Sequence, residues 1–339
     1  KEPIWPSSNI TSRVFYLSHS GLSPLSGTGE KNINTPQNLG LTSGHNCPGM
    51  RIENELPDDQ RRDDEISVCF DSEPLSEDLE VLGAPKLEIE FSVDKPDAYL
   101  IARICEVSPE GISERVSFRP FNLSHHISHE FPEKLVPGKF YKVVFDLNHC
   151  GWRLKKGNKL RLALSTTYWP IIWPVPEVVN VKLNLKNCCL ILPQRRKGLN
   201  QDIDKDQSLD NITPPMKHKW KYLSSPSGKR SEKINNNNQI VIETYDDFGH
   251  LKSNDHGLEQ HMQVWHEYSI KEDDPLSARL TARWETLTKR DQHEMIVKTK
   301  HDISSDKNYF QCKISLSAYL NNKIFFEKNW KEKIPRKHQ

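Results

Sequence analysis

Apolar residues recur at every second position in many short runs of this chain, and over its first 200 residues Gly or Pro closes most of these runs within a few residues. Leu87, Ile89, Phe91 and Val93 alternate with Glu88, Glu90 and Ser92. Leu160, Leu162 and Leu164 alternate with Arg161 and Ala163 after a Gly157-Asn158 turn, and Tyr141, Val143, Phe145 and Leu147 follow Pro137-Gly138 in the same way. Neighbouring strand side chains point to opposite faces, so each run lays one apolar face along an extended ribbon. Residues 98–107 are apolar on both parities, which marks a central strand covered on both sides. Further runs lie at 14–17, 115–120, 179–185 and 189–192. No segment of helical period is long enough to cross between parallel strands, so the pattern predicts an all-β fold of two packed antiparallel sheets.

The composition turns polar at Arg195-Arg196-Lys197-Gly198 and stays so through Ser225-Pro226-Ser227-Gly228 to the Asn run that ends at Asn238. Such a stretch has too little apolar surface to order itself and reads as a linker. Alternation then resumes: Ile240 and Ile242; Met262, Val264, His266, Tyr268 and Ile270; Leu280, Ala282 and Trp284; Met295 and Val297; Phe310, Cys312, Ile314, Leu316 and Ala318; Ile324, Phe326, Trp330 and Ile334. Asn321-Asn322 supplies a hairpin turn between the last two runs. The expected layout is a leading strand and long loop over 1–64 that belong to the sandwich, the sandwich over 65–194, a linker over 195–238 and a smaller antiparallel β domain over 239–339.

The 47 basic and 46 acidic residues nearly cancel, leaving no whole-molecule field to attract nucleic acid or an anionic membrane. No apolar run approaches the ~20 residues of a membrane-spanning helix. Lys1-Glu2-Pro3-Ile4-Trp5-Pro6 has neither an initiator Met nor a signal-peptide core, so the chain is expected to begin inside a longer protein. Seven cysteines, without Cys-x-x-Cys, point to reduced thiols and a cytoplasmic setting.

Chemistry-bearing clusters are few. A nucleophile elbow needs Gly-x-Ser-x-Gly, but Gly21-Leu22-Ser23 is followed by Leu25 and Gly111-Ile112-Ser113 by Arg115 in place of the second glycine. His45 and Cys47 share a loop with no third group to orient a base. In the segment 122–129, His125 and His129 could begin a zinc site, yet no Asp, Glu or Cys is spaced to complete it. In the tail, His250, His256, His261 and His266 accompany Asp246, Asp247 and Asp255 without an activated Ser or Cys. No catalytic, cofactor or metal residue is therefore assigned.

The segment 157–177 differs from the rest. After its leucine-lined strand, Pro170, Pro174 and Pro176 stiffen a loop carrying Tyr168, Trp169 and Trp173. This Tyr-Trp-Pro-x-x-Trp-Pro-x-Pro-Glu block resembles the C-terminal jelly-roll domain of the CocE/NonD esterases and X-Pro dipeptidyl peptidases, a family of serine hydrolases. Leu56-Pro57-Asp58-Asp59-Gln60-Arg61-Arg62-Asp63-Asp64, then Phe70-Asp71-Ser72-Glu73-Pro74-Leu75 through Glu80 and Gly83-Ala84-Pro85, carry the same resemblance. So does Phe121-Asn122-Leu123-Ser124-His125, with Phe121 in place of a Leu. The tail is similar, through Asp274-Pro275-Leu276-Ser277-Ala278 and Trp330…Ile334-Pro335-Arg336, to an extension in a bacterial branch of that family.

The resemblance implies a galactose-binding-like jelly roll that follows an α/β-hydrolase domain holding the whole catalytic triad. That domain is not in this sequence. Stiff aromatics make good anchors, so Tyr168, Trp169 and Trp173 are expected at the docking or cleft-lining surface for the upstream domain. The alternative is a free-standing carbohydrate- or ligand-binding module in which Trp169 and Trp173 stack on a ring. A free-standing enzyme using the histidines stands behind both. Homo-oligomerisation and substrate are left open.

Overall fold

The computed structural model describes residues 2, 4–45, 55–196 and 219–338, and Cys47 lies outside them. Among the described residues the strands form three antiparallel sheets. The all-β expectation is borne out.

The first sheet has nine strands. Its path runs from Cys150–Leu154 through Leu79–Gly83, Cys189–Arg195, Lys86–Val93 and Val181–Asn184 to Glu30–Ile33. Ile10–Ser18, Gly21–Ser23 and Tyr141–Asp146 flank this path. The second sheet runs Val68–Asp71, Lys159–Ser165, Tyr99–Val107, Ser113–Asn122. Neighbours in space are rarely neighbours in sequence, so the chain crosses repeatedly between the two sheets, as in Greek-key sandwiches. The alternating runs meet inside: Leu87, Ile89 and Phe91 pack with Leu100, Ala102, Ile104, Leu160, Leu162 and Leu164 in one buried cluster.

Tyr99–Val107 is covered on its other face as well, as its double apolar parity requires. Ile101 packs with Leu39 and Tyr168, and Arg103 is fully buried beside the short helix Arg61–Glu65. The segment 34–45 is therefore wrapped over the second sheet rather than looped into solvent.

The third sheet has eight strands. Trp220–Ser224 and Ser227–Ile234 both pair with Ile240–Ser253, and Glu259–Ile270, Arg279–Arg290, His293–Ser305, Tyr309–Leu320 and Lys323–Pro335 follow as a meander. Asn321 and Asn322 adopt φ of 49° and 62° between the paired residues Leu320 and Lys323, a two-residue hairpin turn of the expected kind.

Two readings differ from the structure. Residues 220–224 and 227–234, expected in a polar linker, are strands of this sheet. Ser227–Ile234 pairs in continuous register with residues 240–247, so backbone hydrogen bonding orders it without apolar burial. The alternating run at Ile240 also extends to fourteen residues, far past its apolar start.

Candidate functional site

The aromatic loop is the point where sandwich and third sheet meet. Tyr168 and Trp169 are buried, at 0% and 1% exposure, and Trp173 is half-buried. Trp169 packs with Leu41 on the sandwich side and with Ile242, Ile270 and Ala278 on the third sheet, while Trp173, Ile240 and Tyr268 close the cluster. Ring centroids lie 5.5 Å apart for Trp169 and Trp173, 6.2 Å for Trp169 and Tyr268, and 5.9 Å for Trp173 and Phe310, all edge to face. That arrangement sets the electropositive edge of each ring against the electron-rich face of the next. Trp169 thus leaves no open ring face for a sugar or a separate domain, because the chain's own third sheet occupies it.

Polar contacts fix the same joint. Trp173 Nε1 donates to Ser305 Oγ at 3.0 Å, and Arg336 donates to Ser305 Oγ at 3.1 Å and to the Pro174 carbonyl at 2.5 Å. The Arg336 guanidinium also lies 4.8 Å from the Phe310 ring centre. On the other side, the Gln37 amide donates to the Glu272 carbonyl, Arg230 to the Leu41 carbonyl, and Arg62 holds Glu232 through both terminal guanidinium nitrogens. The loop is pressed against Gly40, whose φ is +115°; a Cβ there would sit 2.5 Å from the Trp169 carbonyl oxygen.

Beneath the loop, the Asp58–Asp64 motif folds into a buried polar hub. Asp64 is 2.9 Å from Arg103 and 3.0 Å from Arg161, and accepts from Ser113 Oγ at 2.6 Å. Asp63 accepts from the Gly40 and Thr42 amides and from the Thr42 hydroxyl. Gln60 donates to the Thr42 carbonyl and accepts from Arg103. Arg115 donates to the Tyr168 hydroxyl, and burial, only partly opposed by Arg115 and Arg103, pushes that phenol up to about 12. Asp64 pairs with both Arg103 and Arg161, as buried ions require, while Arg103 Nε finds no hydrogen-bond partner among the described residues. The sequence offered the motif as a marker of resemblance; its role in packing the wrapped segment is visible only once Gly40, Thr42 and Arg103 converge on it.

The remaining candidates stand apart. Ser113 is fully buried and bound to Asp64, and Ser23 Oγ accepts from the Leu25 amide. His45 lines a 110 Å³ cavity at the joint with Asp58, Pro170 and Arg230. His125 Nδ1 lies 3.2 Å from His129 Nδ1 on an exposed loop, where burial and the second ring lower the His125 pKa, and the His126 ring packs edge-on to Tyr141. In the third sheet His250 and His261 stack at 5.3 Å. His261 Nε2 is 2.8 Å from Asp247, His250 is 3.2 Å from Glu259, and the His256 ring meets Trp220 edge-on. Burial raises the Asp247 pKa, but the Gly249 amide, His261 and Gln263 outweigh it and leave the carboxyl below its usual range. Asp246 is buried, Asp255 pairs with Lys219, and His266 stacks on Tyr268. The His250 amide donates to Ser224 Oγ, the His266 Nδ1 lies 3.3 Å from Thr244 Oγ1, and no three metal-binding side chains converge among the described residues.

A family profile described as the X-Pro dipeptidyl-peptidase C-terminal non-catalytic domain matches residues 1–209. Solved structures similar to this chain include an α-amino acid ester hydrolase, at 19% identity and TM-score 0.48 over 55% of this chain and 36% of that one. An aminopeptidase from a marine sediment archaeon, Thaumarchaeota archaeon, gives 16%, 0.47, 57% and 38% for the same quantities. A CocE/NonD family hydrolase from Staphylococcus aureus gives 16%, 0.45, 58% and 38%. The chain therefore spans little more than a third of each of these proteins. No curated protein matches it.

Proposed function

The chain belongs to the X-Pro dipeptidyl-peptidase C-terminal non-catalytic domain family, and on that premise we propose that it is the trailing portion of a serine hydrolase of acyl esterase or X-Pro dipeptidyl-peptidase type. The family match over residues 1–209 is the observation that carries this reading. Local chemistry supports it: the Ser113 hydroxyl is committed to Asp64, and the Ser23 hydroxyl to a turn amide.

In this reading an upstream α/β-hydrolase domain holds the nucleophile, acid and histidine, and this chain packs beside it and shapes its cleft. Tyr168, Trp169 and Trp173 contribute indirectly. Trp169 and Trp173 join the third sheet to the sandwich, and Tyr168 packs with Leu39 and Ile101 on the second sheet, so that both parts present one rigid flank to the catalytic domain. The layout of 1–194 as a galactose-binding-like jelly roll carrying a separately folded β extension belongs to the same proposal. The six described cysteines are free, and no helix among the described residues is long and apolar enough to cross a membrane; we place the protein in the cytoplasm on the strength of the thiols.

The test is hydrolysis of a p-nitrophenyl ester and of an X-Pro anilide by the purified 339-residue chain. No turnover above buffer is expected. Turnover abolished by a serine-directed phosphonate overturns the proposal.

A further inference from the structure

Among the described residues, the third sheet ends in a long edge with no strand beyond it. Lys323–Pro335 pairs on one side with Tyr309–Leu320, and every one of its residues except Trp330 is exposed. An unpaired edge of this length is a template for another strand, and proteins commonly blunt such edges with lysine. Here the lysines alternate with carboxylates: Glu327, Lys328, Lys331, Glu332 and Lys333. The consequence is selective repulsion rather than general repulsion.

Outward-facing backbone groups recur at every second residue, so a two-fold antiparallel pair of identical strands must place its axis on a residue. An axis at Lys328 sets Lys328 against itself and Lys323 against Lys333; an axis at Lys331 sets Lys331 against itself. An axis at Asn329 pairs Glu327 with Lys331 but puts Phe326 opposite Glu332 and Phe325 opposite Lys333. Only an axis at Trp330 satisfies the whole strand: Glu327 meets Lys333, Lys328 meets Glu332, Phe326 meets Ile334 and the indoles meet each other.

The ends agree with that register. Ala318 pairs with Phe326 and Tyr319 with Ile324, which makes Phe325 an unpaired bulge residue that twists the strand away. Pro335 lacks a backbone donor at the other end. About an axis at Trp330 the bulge falls opposite the proline, so pairing runs over 326–334 and stops where both strands stop being able to pair. The present contacts of these charges are exposed and replaceable: Ser317 Oγ donates to Glu327 at 3.2 Å, Lys328 lies over Trp330 and Lys333 over Tyr309.

We propose that a second copy of this chain pairs along the Lys323–Pro335 edge about a two-fold axis at Trp330, joining two eight-stranded sheets into one. Sedimentation velocity of the 339-residue chain across micromolar concentrations is expected to show a monomer–dimer equilibrium. Glu327→Lys and Lys333→Glu each create two like-charge pairs by symmetry, and each is expected to weaken the dimer roughly tenfold or more. Mixed in equal amounts, the two variants are expected to form a heterodimer, since the lysine introduced in one copy then faces the glutamate introduced in the other; this rescue also shows that both are folded. A monomer at all concentrations, a dimer indifferent to both reversals, or rescue of Glu327→Lys by Lys331→Glu instead overturns the proposal.

Discussion

Replacing Trp169 by alanine is expected to detach the third sheet while leaving the sandwich intact. The indole is 1% exposed, and a buried aromatic removes roughly 150–250 Å² from water. At about 25 cal/mol per Å² this is about 4–6 kcal/mol, an upper bound because unfolded chains are themselves partly compact. Measured aromatic truncations fall at about 3–5 kcal/mol, which is the expected loss. Its location decides where that loss appears. Trp169 contacts Leu41, Ile242, Ile270 and Ala278, whereas the sandwich core of Leu87, Ile89, Phe91, Leu160 and Leu162 forms a separate cluster. Hydrogen exchange read by mass spectrometry should therefore show lost protection in Ile240–Ser253 and Glu259–Ile270, with Lys86–Val93 and Lys159–Ser165 unchanged. Urea unfolding should split, with the third sheet released first. A loss below about 1 kcal/mol, or equal deprotection of both parts, would refute the assignment of Trp169 to the joint.

Asp64→Asn leaves Arg103, fully buried, without its carboxylate and should cost about 3–5 kcal/mol in urea unfolding at neutral pH; a change within about 0.5 kcal/mol would contradict the hub. Gly40→Ala forces a Cβ to 2.5 Å from the Trp169 carbonyl oxygen at a φ of +115°, and thermal unfolding should show a drop of several degrees or a failure to fold. Burial pushes the Cys105 and Cys188 thiols up to about 12, against about 8.5 for an unfolded thiol. Their contribution is complete below about pH 8.5 and is lost as pH rises towards 12, at up to about 1.4 kcal/mol per pH unit for each thiol. Urea midpoints compared at neutral and alkaline pH should fall less steeply in Cys105→Ala than in the parent chain, and parallel slopes would disprove this origin.

What the sequence made legible follows what packs against what. Strands with one face on a core announce themselves: Leu87, Ile89, Phe91 and Val93 alternate because one parity is buried in the sandwich. Tyr99–Val107 reads as doubly covered because it is, although Arg103 sits among its apolar residues and reveals its partner Asp64 only in three dimensions. The third sheet is harder to read. Away from the joint its strands are half-exposed or exposed along most of their length, so polar residues serve on either parity, and Ser227–Ile234 carries no alternating signature at all. Tyr168, expected at the same surface, packs on the second sheet, whereas Trp169 and Trp173 stood out as contact residues through proline stiffening and aromatic content. Their partner did not, since nothing in the loop distinguishes a surface offered to a separate domain from one covered by strands that come much later in the same chain.

The claim that this chain contributes structure rather than a nucleophile is tested most directly by a fluorophosphonate probe. The reagent would be applied to the full-length gene product, followed by peptide mass spectrometry. The account predicts a single labelled serine upstream of Lys1 and none within residues 1–339. Stoichiometric label on Ser113, Ser23 or any other serine of this chain would contradict it.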